Sequence, residues 1–490
     1  MKVRSATRAA LLCAAMIAAQ PSNAQDIEAL EEPLEQAIKT GPLLPEEVLR
    51  SSALTFPSIL ESFQREAAAR SDQLAADGAF DLILEGEAYD RITGTFSGGY
   101  AEVGARQPLA PMGAEIYGTY RLSDGTFPIY ENIYNTNQLG EFKVGGLLSL
   151  LRNNRIDQRR FDVEDSRLAA GQAGLDVLLV QLKVQHEALG AYWRWVAAGE
   201  EIRVYEELLE IAEARAVGLS REVRLGARAQ VDLIENEQNV LRRRTLLREA
   251  QRNFTMAATS LSYYLRGYDG ELIVPTRANL PTSDVIAELP DMASLMAIEM
   301  SEVLANRPEL LNFRLAVERA ENKVALRQND LQPDLQLRAE VSRDFGAIGD
   351  GGPTFDSTDT TIGVTFTVPL QRRTARGRLQ RAEAELREIE LRERRVADQI
   401  SVELDNILTN LDASLRLANL ATQEVEQAEA MVAAERRRFR LGAGDFFRVN
   451  LREESAADAK IRGIRAQLVG RLATASYNAA VMNLDELGLE

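Results

Sequence analysis

The sequence predicts a mixed α and β membrane protein, internally duplicated. Long helices lie along neighbours in a bundle or coiled coil, and short strands build a β-barrel that one chain cannot close alone. Three observations predict this. Two stretches of helical periodicity are too long for a compact globule. Short stretches alternate apolar and polar residues with period two. Nearly every element is written twice.

The helices come first in weight. From about Asn154 to Ala216 the chain lacks proline and is apolar at helical spacing, predicting a helix over about 154–216. A second run covers about 374–441, with Leu379, Ala382, Leu386, Ile389, Val396 and Ile400 in heptad-like order. At 1.5 Å per residue it would reach roughly 100 Å. Each run ends in a Gly-containing break and a second helix, about 228–266 and 446–482.

The breaks resemble each other. Val223-Arg224-Leu225-Gly226-Ala227 recurs as Phe439-Arg440-Leu441-Gly442-Ala443. Phe56-Pro57-Ser58-Ile59-Leu60 answers Arg307-Pro308-Glu309-Leu310-Leu311, and Val144 to Arg152 answers Ile362 to Gln371. Ordered matches with shifting offsets indicate a duplication with insertions. The first repeat spans 51–266 and opens with a short helix. The second spans 298–482 and opens with a helix over about 298–331. Between them, 267–297 carries Pro275, Pro281 and Pro290 and reads as an irregular linker. Residues 25–50 read as an extended segment, and 483–490 as a tail.

Strands fill each half between the short and long helices, at about 79–151 and 335–370. Leu335, Leu337, Ala339 and Val341 alternate with Gln336, Arg338, Glu340 and Ser342. Ile362, Val364, Phe366, Val368 and Leu370 alternate likewise, and so do Phe80, Leu82, Leu84 and Gly86, with Ile83 the one lapse. Period two means one apolar and one polar face. Segments of 9–11 residues match tilted membrane-crossing strands. Ten of the 29 aromatic residues fall within 79–151, as interfacial girdles require. A soluble antiparallel sheet also alternates, so a periplasmic or surface coiled-coil scaffold without channel activity is the competing reading. Four or so strands per chain cannot close a membrane barrel, and open edges are not tolerated in lipid. Three copies would give about twelve strands. The first half spends about twice as many residues on this region as the second. The excess, around 94–134, is either a long extracellular loop or an extra hairpin.

The first residues set the compartment. Lys2, Arg4 and Arg8 precede an apolar run from Ala9 to Ala19, and Ser22-Asn23-Ala24 supplies small residues. This predicts a signal peptide over 1–24. Acylation at Cys13 is opposed by Leu12, where a small residue is needed. No later stretch approaches 18 uninterrupted apolar residues, so no transmembrane helix is expected. The single Cys13 and single His186 exclude a disulfide framework, a Cys/His zinc site and a thiol nucleophile. The formal charge of -17 argues against a nucleic-acid partner. No Gly-rich phosphate loop and no paired-carboxylate signature appear, so no cofactor, metal or catalytic residue is expected.

The duplicated order of elements, the helix starts Phe56-Pro57 and Arg307-Pro308 and the two Arg-Leu-Gly-Ala breaks resemble the TolC-like outer-membrane efflux protein family (outer membrane factors). The resemblance runs from about Ser51 to Met482. Val364 to Leu370 followed by Arg372-Arg373-Thr374-Ala375-Arg376-Gly377 is similar to that family's strand-to-helix junction, and Leu147 to Arg160 to its first-half counterpart. The resemblance implies a homotrimeric channel-tunnel in the outer membrane of a Gram-negative bacterium. Its strands would share one transmembrane β-barrel in outer-membrane lipid, and its helices a hollow α-barrel through the periplasm. It implies a passive exit duct, not an enzyme, serving tripartite efflux or type I secretion of small molecules or polypeptides. Its partners would be a periplasmic adaptor (membrane fusion) protein and an inner-membrane transporter.

By the same resemblance the adaptor docks at the tips Arg224, Leu225, Gly226 and Ala227, and Arg440, Leu441, Gly442 and Ala443. The family's gate lies there, closed by polar contacts and acidic rings. Asp232 falls six residues after Gly226, where the family often has an acid. The equivalent position after Gly442 is Arg448, which departs from an acidic ring. Asp445, Glu453 and Glu454 lie nearby and would supply charge. Asp232 and Arg448 are expected to approach each other at the closed mouth. His186 reads as a lone surface or packing residue, Trp193 and Trp195 as packing residues, and Arg436-Arg437-Arg438 as a solvated face.

Overall fold

The computed structural model describes residues 41–128, 135–292, 300–348 and 357–489. The signal peptide with Cys13, residues 25–40 of the extended segment, 129–134 and part of the linker lie outside them.

The chain opens with α1 (Pro45–Thr55) and α2 (Pro57–Asp77). Residues 45–50, expected to be extended, are helical. Pro45 fits the first helical position, and the Leu44 amide donates to Glu47 Oε2 at 2.9 Å. Pro57 starts the second helix and forces the break before it. Four strands follow: β1 (Ile83–Asp90), β2 (Gly99–Pro108), β3 (Glu115–Asp124) and β4 (Glu141–Ser149). Then come α3 (Gln158–Arg224), α4 (Gln230–Ser262) and the short α5 (Asp284–Ala287). The second half runs α6 (Met300–Asn306), α7 (Pro308–Asn329), β5 (Asp334–Asp344), β6 (Thr358–Thr367), α8 (Arg373–Arg440) and α9 (Phe446–Val481). The helix expected over 298–331 is thus cut at Arg307-Pro308, for the reason that cuts α1 from α2.

The helices form a curtain four abreast. In the half next to the sheet, α3 runs between α2 and α7, and α7 packs on α8. In the far half, α3 runs between α4 and α9, and α9 packs on α8. Both long helices therefore serve two sets of neighbours, which is why each must be 67 or 68 residues long. Asp157 caps α3 by accepting from the Arg160 amide at 3.0 Å. The Arg160 guanidinium in turn donates to the carbonyls of Asn153 and Asn154, fixing the strand-to-helix corner.

The main core sits mid-height, where α1, α3, α4 and the C-terminal turn meet. Tyr192, Trp195, Val196, Leu261, Leu265, Val48 and Leu487 are all fully buried there. Each such side chain contributes about 1.5–3 kcal/mol. Tyr192 donates its hydroxyl to the Leu43 carbonyl at 3.0 Å and so ties the N-terminal segment to the curtain.

The sheet corrects the strand count. Among the described residues it has six antiparallel strands in the order β1-β2-β3-β4-β5-β6, not four or so. The first half contributes four strands and the second two, so the excess near 94–134 includes an extra hairpin, β2–β3. The registers put Leu84, Ala105, Gly118, Val144 and Val341 in one row across the sheet. On that face Val103, Ile116, Tyr120, Leu122, Phe142, Ile362, Val364 and Phe366 are all exposed. The opposite face carries Glu85, Glu87, Glu102, Arg106, Arg121, Glu141, Lys143 and Glu340, bridged by pairs such as Arg121–Glu141 at 3.1 Å. Gly145 lies between Tyr117 and Glu340 in its row, and the missing side chain lets the Tyr117 hydroxyl reach Glu340 across β4. A Cβ at Gly145 would stand 2.5 Å from the Tyr117 ring.

Candidate functional site

Both Gly breaks are helical hairpin tips built alike. At the end of α3 the Ala227 amide donates to the Glu222 carbonyl at 2.9 Å, and the Gly226 amide to that of Val223 at 3.0 Å. At the end of α8 Ala443 donates to Arg438 at 2.9 Å, and Gly442 to Phe439 at 3.0 Å. This is the double hydrogen bond of a Schellman cap, which needs a left-handed residue at its second-last position. Gly226 has φ +73° and Gly442 +74°, and a Cβ on either would meet nothing within 4 Å. Glycine is required there by backbone conformation alone.

The apex of each tip is apolar. Leu225 is 76% exposed and Leu441 77%. Arginines stand beside them in the chain: Arg224 donates to the Ser220 carbonyl at 3.2 Å, and Arg228 sits over the Phe439 ring at 5.3 Å, joining the two tips. An exposed leucine next to arginine in the chain is a surface on which a protein partner can bury area.

The gate candidates are paired locally. Asp232 Oδ2 lies 3.8 Å from Arg228 Nη1, one turn away. Arg448 Nε lies 3.7 Å from Asp445 Oδ2. Asp445 also caps α9, accepting from the Arg448 amide at 2.8 Å. Within one chain Asp232 and Arg448 are not brought together. Asp232 lies in the first turn of α4, where its charge also favours the helix N-terminus.

Glu453 does not supply charge to a mouth; it is buried. Arg215 of α3 holds it with two hydrogen bonds, Nη2 to Oε1 at 2.6 Å and Nη1 to Oε2 at 3.0 Å. Arg436 of α8 donates Nε to Oε1 at 3.0 Å, and Arg243 of α4 places Nη2 at 3.6 Å from Oε2. Arg436 is therefore a tie between helices as well as a partly solvated charge. The side chains of Arg243 and Glu453 are each 1% exposed. One carboxylate thus gathers guanidinium groups from the three other helices of the far half. Burial alone would raise its pKa, but the hydrogen bonds and charges of Arg215 and Arg436 hold it below the usual carboxylate range. Glu454 instead pairs at the surface with Arg242, at 3.2 Å.

Composition and spacing did not reveal this cluster. A signal was present: Phe446, Val449, Asn450, Glu453 and Ala457 form one buried stripe of α9 at helical spacing, and a carboxylate in such a stripe needs a partner. Further along, Lys460 bridges Glu207 at 3.1 Å and Glu429 at 3.0 Å, and Arg465 meets Glu201 at 2.9 Å. So α9 is acidic against basic neighbours near the tip and basic against acidic ones above it.

His186 of α3 is a half-buried packing residue: it faces α9 with Nε2 3.1 Å from Ser476 Oγ, and burial pushes its imidazole below its ordinary pKa. Trp195 is fully buried, and Arg471 stacks on Trp193 at 4.4 Å. Among the described residues no cluster of acids, His or Cys fits a metal ion, and no helix is long and apolar enough to cross a membrane.

Residues 300–485 match the family model described as "Outer membrane efflux protein". A search of curated proteins gives no match. Among solved structures the chain is similar to CusC, with TM-score 0.63 and 12% identity over 90% of this chain and 93% of that one. VceC of Vibrio cholerae gives TM-score 0.61 and 15% identity over 89% and 95%. The open state of the MtrE outer membrane channel of Neisseria gonorrhoeae gives 0.60 and 14% over 89% and 88%. At these identities the likeness is one of fold.

Proposed function

We propose that this chain, which carries an outer membrane efflux protein domain over residues 300–485 and has the fold of the TolC-like outer-membrane channels, is the passive exit duct of an efflux or secretion assembly. It stands in the outer membrane of a Gram-negative bacterium as a homotrimer. The strands share one barrel in the lipid, and the helices enclose a water-filled tunnel into the periplasm. An inner-membrane transporter supplies the energy, and a periplasmic adaptor grips the tips at Arg224–Ala227 and Arg440–Ala443. The cargo is small molecules or polypeptides, and the duct itself performs no catalytic step.

The observation that carries this reading is the sheet. It bares an apolar face, and among the described residues its edge strands β1 and β6 each have one neighbour. In hydrocarbon every backbone polar group must be satisfied, so such a sheet survives only by closing with further copies. The polar opposite face then lines the lumen. The expected result is fractionation with the outer membrane, a trimer that resists SDS, and ion conduction in planar bilayers. Release by salt or alkaline wash as a soluble monomer would sink the reading.

Asp232, Asp445 and Arg448 are proposed as the gate, with Asp232 and Arg448 meeting between neighbouring copies. Asp232→Asn and Arg448→Gln should each raise single-channel conductance. Unchanged conductance in both would remove the gate from these residues.

A further inference from the structure

We infer that three copies close an eighteen-stranded barrel as wide as the helical tunnel beneath it, so that the duct does not narrow at the membrane. The inference rests on the channel reading and deepens it.

The extra hairpin β2–β3 is part of the barrel wall by two independent observations. It is hydrogen-bonded on both sides, β2 to β1 over Ile83–Asp90 and β3 to β4 over Glu115–Arg121. It also keeps the two-faced pattern of its neighbours. Ala101, Val103, Ile116, Tyr120 and Leu122 share the bare apolar face, while Glu102, Arg106, Tyr117 and Arg121 share the polar one. A flap or plug would not need that alternation in register with four other strands. Its turn at the helix end is anchored: the Leu109 amide donates to the Ala114 carbonyl at 2.8 Å, and Glu115 pairs with Arg159 of α3 at 3.7 Å.

Geometry then relates strand number to girth. Six strands about 4.8 Å apart and tilted about 40° cover an arc of roughly 38 Å. Four helices abreast at about 9.5 Å cover roughly the same arc. At the same tilt the strands without β2–β3 would cover only about 25 Å, a third less than the helices. The extra hairpin therefore matches the strand wall to the helical curtain. Three copies give a barrel about 36 Å across between backbones, in the size class that leaves an open aqueous channel. Bulky cargo that fits the tunnel would also pass the strands.

Electron cryomicroscopy of the detergent-purified assembly decides the point directly. Eighteen strands in one continuous wall are expected. A twelve-stranded wall with Gly99–Asp124 outside it would overturn the inference, as would two copies closing twelve strands. A second measurement uses a variant lacking 99–124, which preserves the up-and-down order of the remaining strands. Polyethylene glycols of graded size are added on the strand side of a bilayer, where the tips do not limit access. The largest glycol that enters should shrink in radius by about a third, with the trimer retained. An unchanged cutoff in a folded trimer would overturn the inference. Failure of the unaltered protein to enter membranes would remove the channel reading first and this inference with it.

Discussion

The tips and the cluster around Glu453 use the same residue types at neighbouring levels of the molecule, with opposite consequences. At the tips Asp232, Asp445 and Arg448 are in contact with water, and their partners lie one turn away. Roughly 9 Å higher, judged from the rise to Arg436, a single carboxylate is sealed from solvent and meets arginines of three other helices. Exposed local pairs are screened and weak. A buried pair adds little net stability when intact, yet losing one partner leaves an uncompensated charge out of water. The tips are therefore free to vary for docking, while the cluster fixes how the two hairpins lie together.

The largest expected effect follows from removing the carboxylate that the three arginines share. Glu453→Gln should cost about 3–5 kcal/mol in the far half, read as faster hydrogen exchange over 446–460. Adding Arg243→Met removes one of the stranded charges and should recover part of the loss. A double variant worse than the single one would show that packing, and not surplus charge, is at stake.

Acid probes the same residue. The Glu453 pKa is depressed on folding, so its contribution is fully present above the unfolded value of about 4.3 and fades as pH falls through the folded value. Thermal stability of the helices should hold from neutrality to about pH 5 and drop in stronger acid. The Glu453→Gln protein should lose that part of the dependence. An identical acid profile in both proteins would assign the drop to other groups.

A smaller effect is expected at the tips. Gly226→Ala and Gly442→Ala should each cost about 1–2 kcal/mol, because only the left-handed backbone resists the new methyl group. Local exchange at each tip measures it, and a clear inequality between the two would break their equivalence. Asp232→Asn and Arg448→Gln should come last, with stability changed by less than about 0.5 kcal/mol. Any conductance change in them would then report on the lumen, not on unfolding.

The helices and tips were legible because their causes are local. Arg-Leu-Gly-Ala carries its own cap chemistry, and Pro57 and Pro308 cut their helices unaided. The strand count was not legible. Ala101, Gly104 and Ala105 give β2 little contrast between its faces, so period two is faint there, and only pairing with β1 and β3 reveals the strand. The bond from Arg436 to Glu453 was not legible, because the arginine run continues into Arg437 and Arg438 and nothing on α8 announces the carboxylate of α9 opposite it.

By itself the sequence determined the duplicated order, the two rods and their reversals at Gly226 and Gly442. It also set the alternating faces of β1, β5 and β6. Each of these follows from residues within a few positions of one another. Tertiary structure decided that β2 and β3 join the sheet, that Glu453 is enclosed by Arg215, Arg243 and Arg436, and that His186 faces Ser476. Those outcomes depend on which distant segments lie side by side, and burial and charge acquire their energies only once the neighbours are in place.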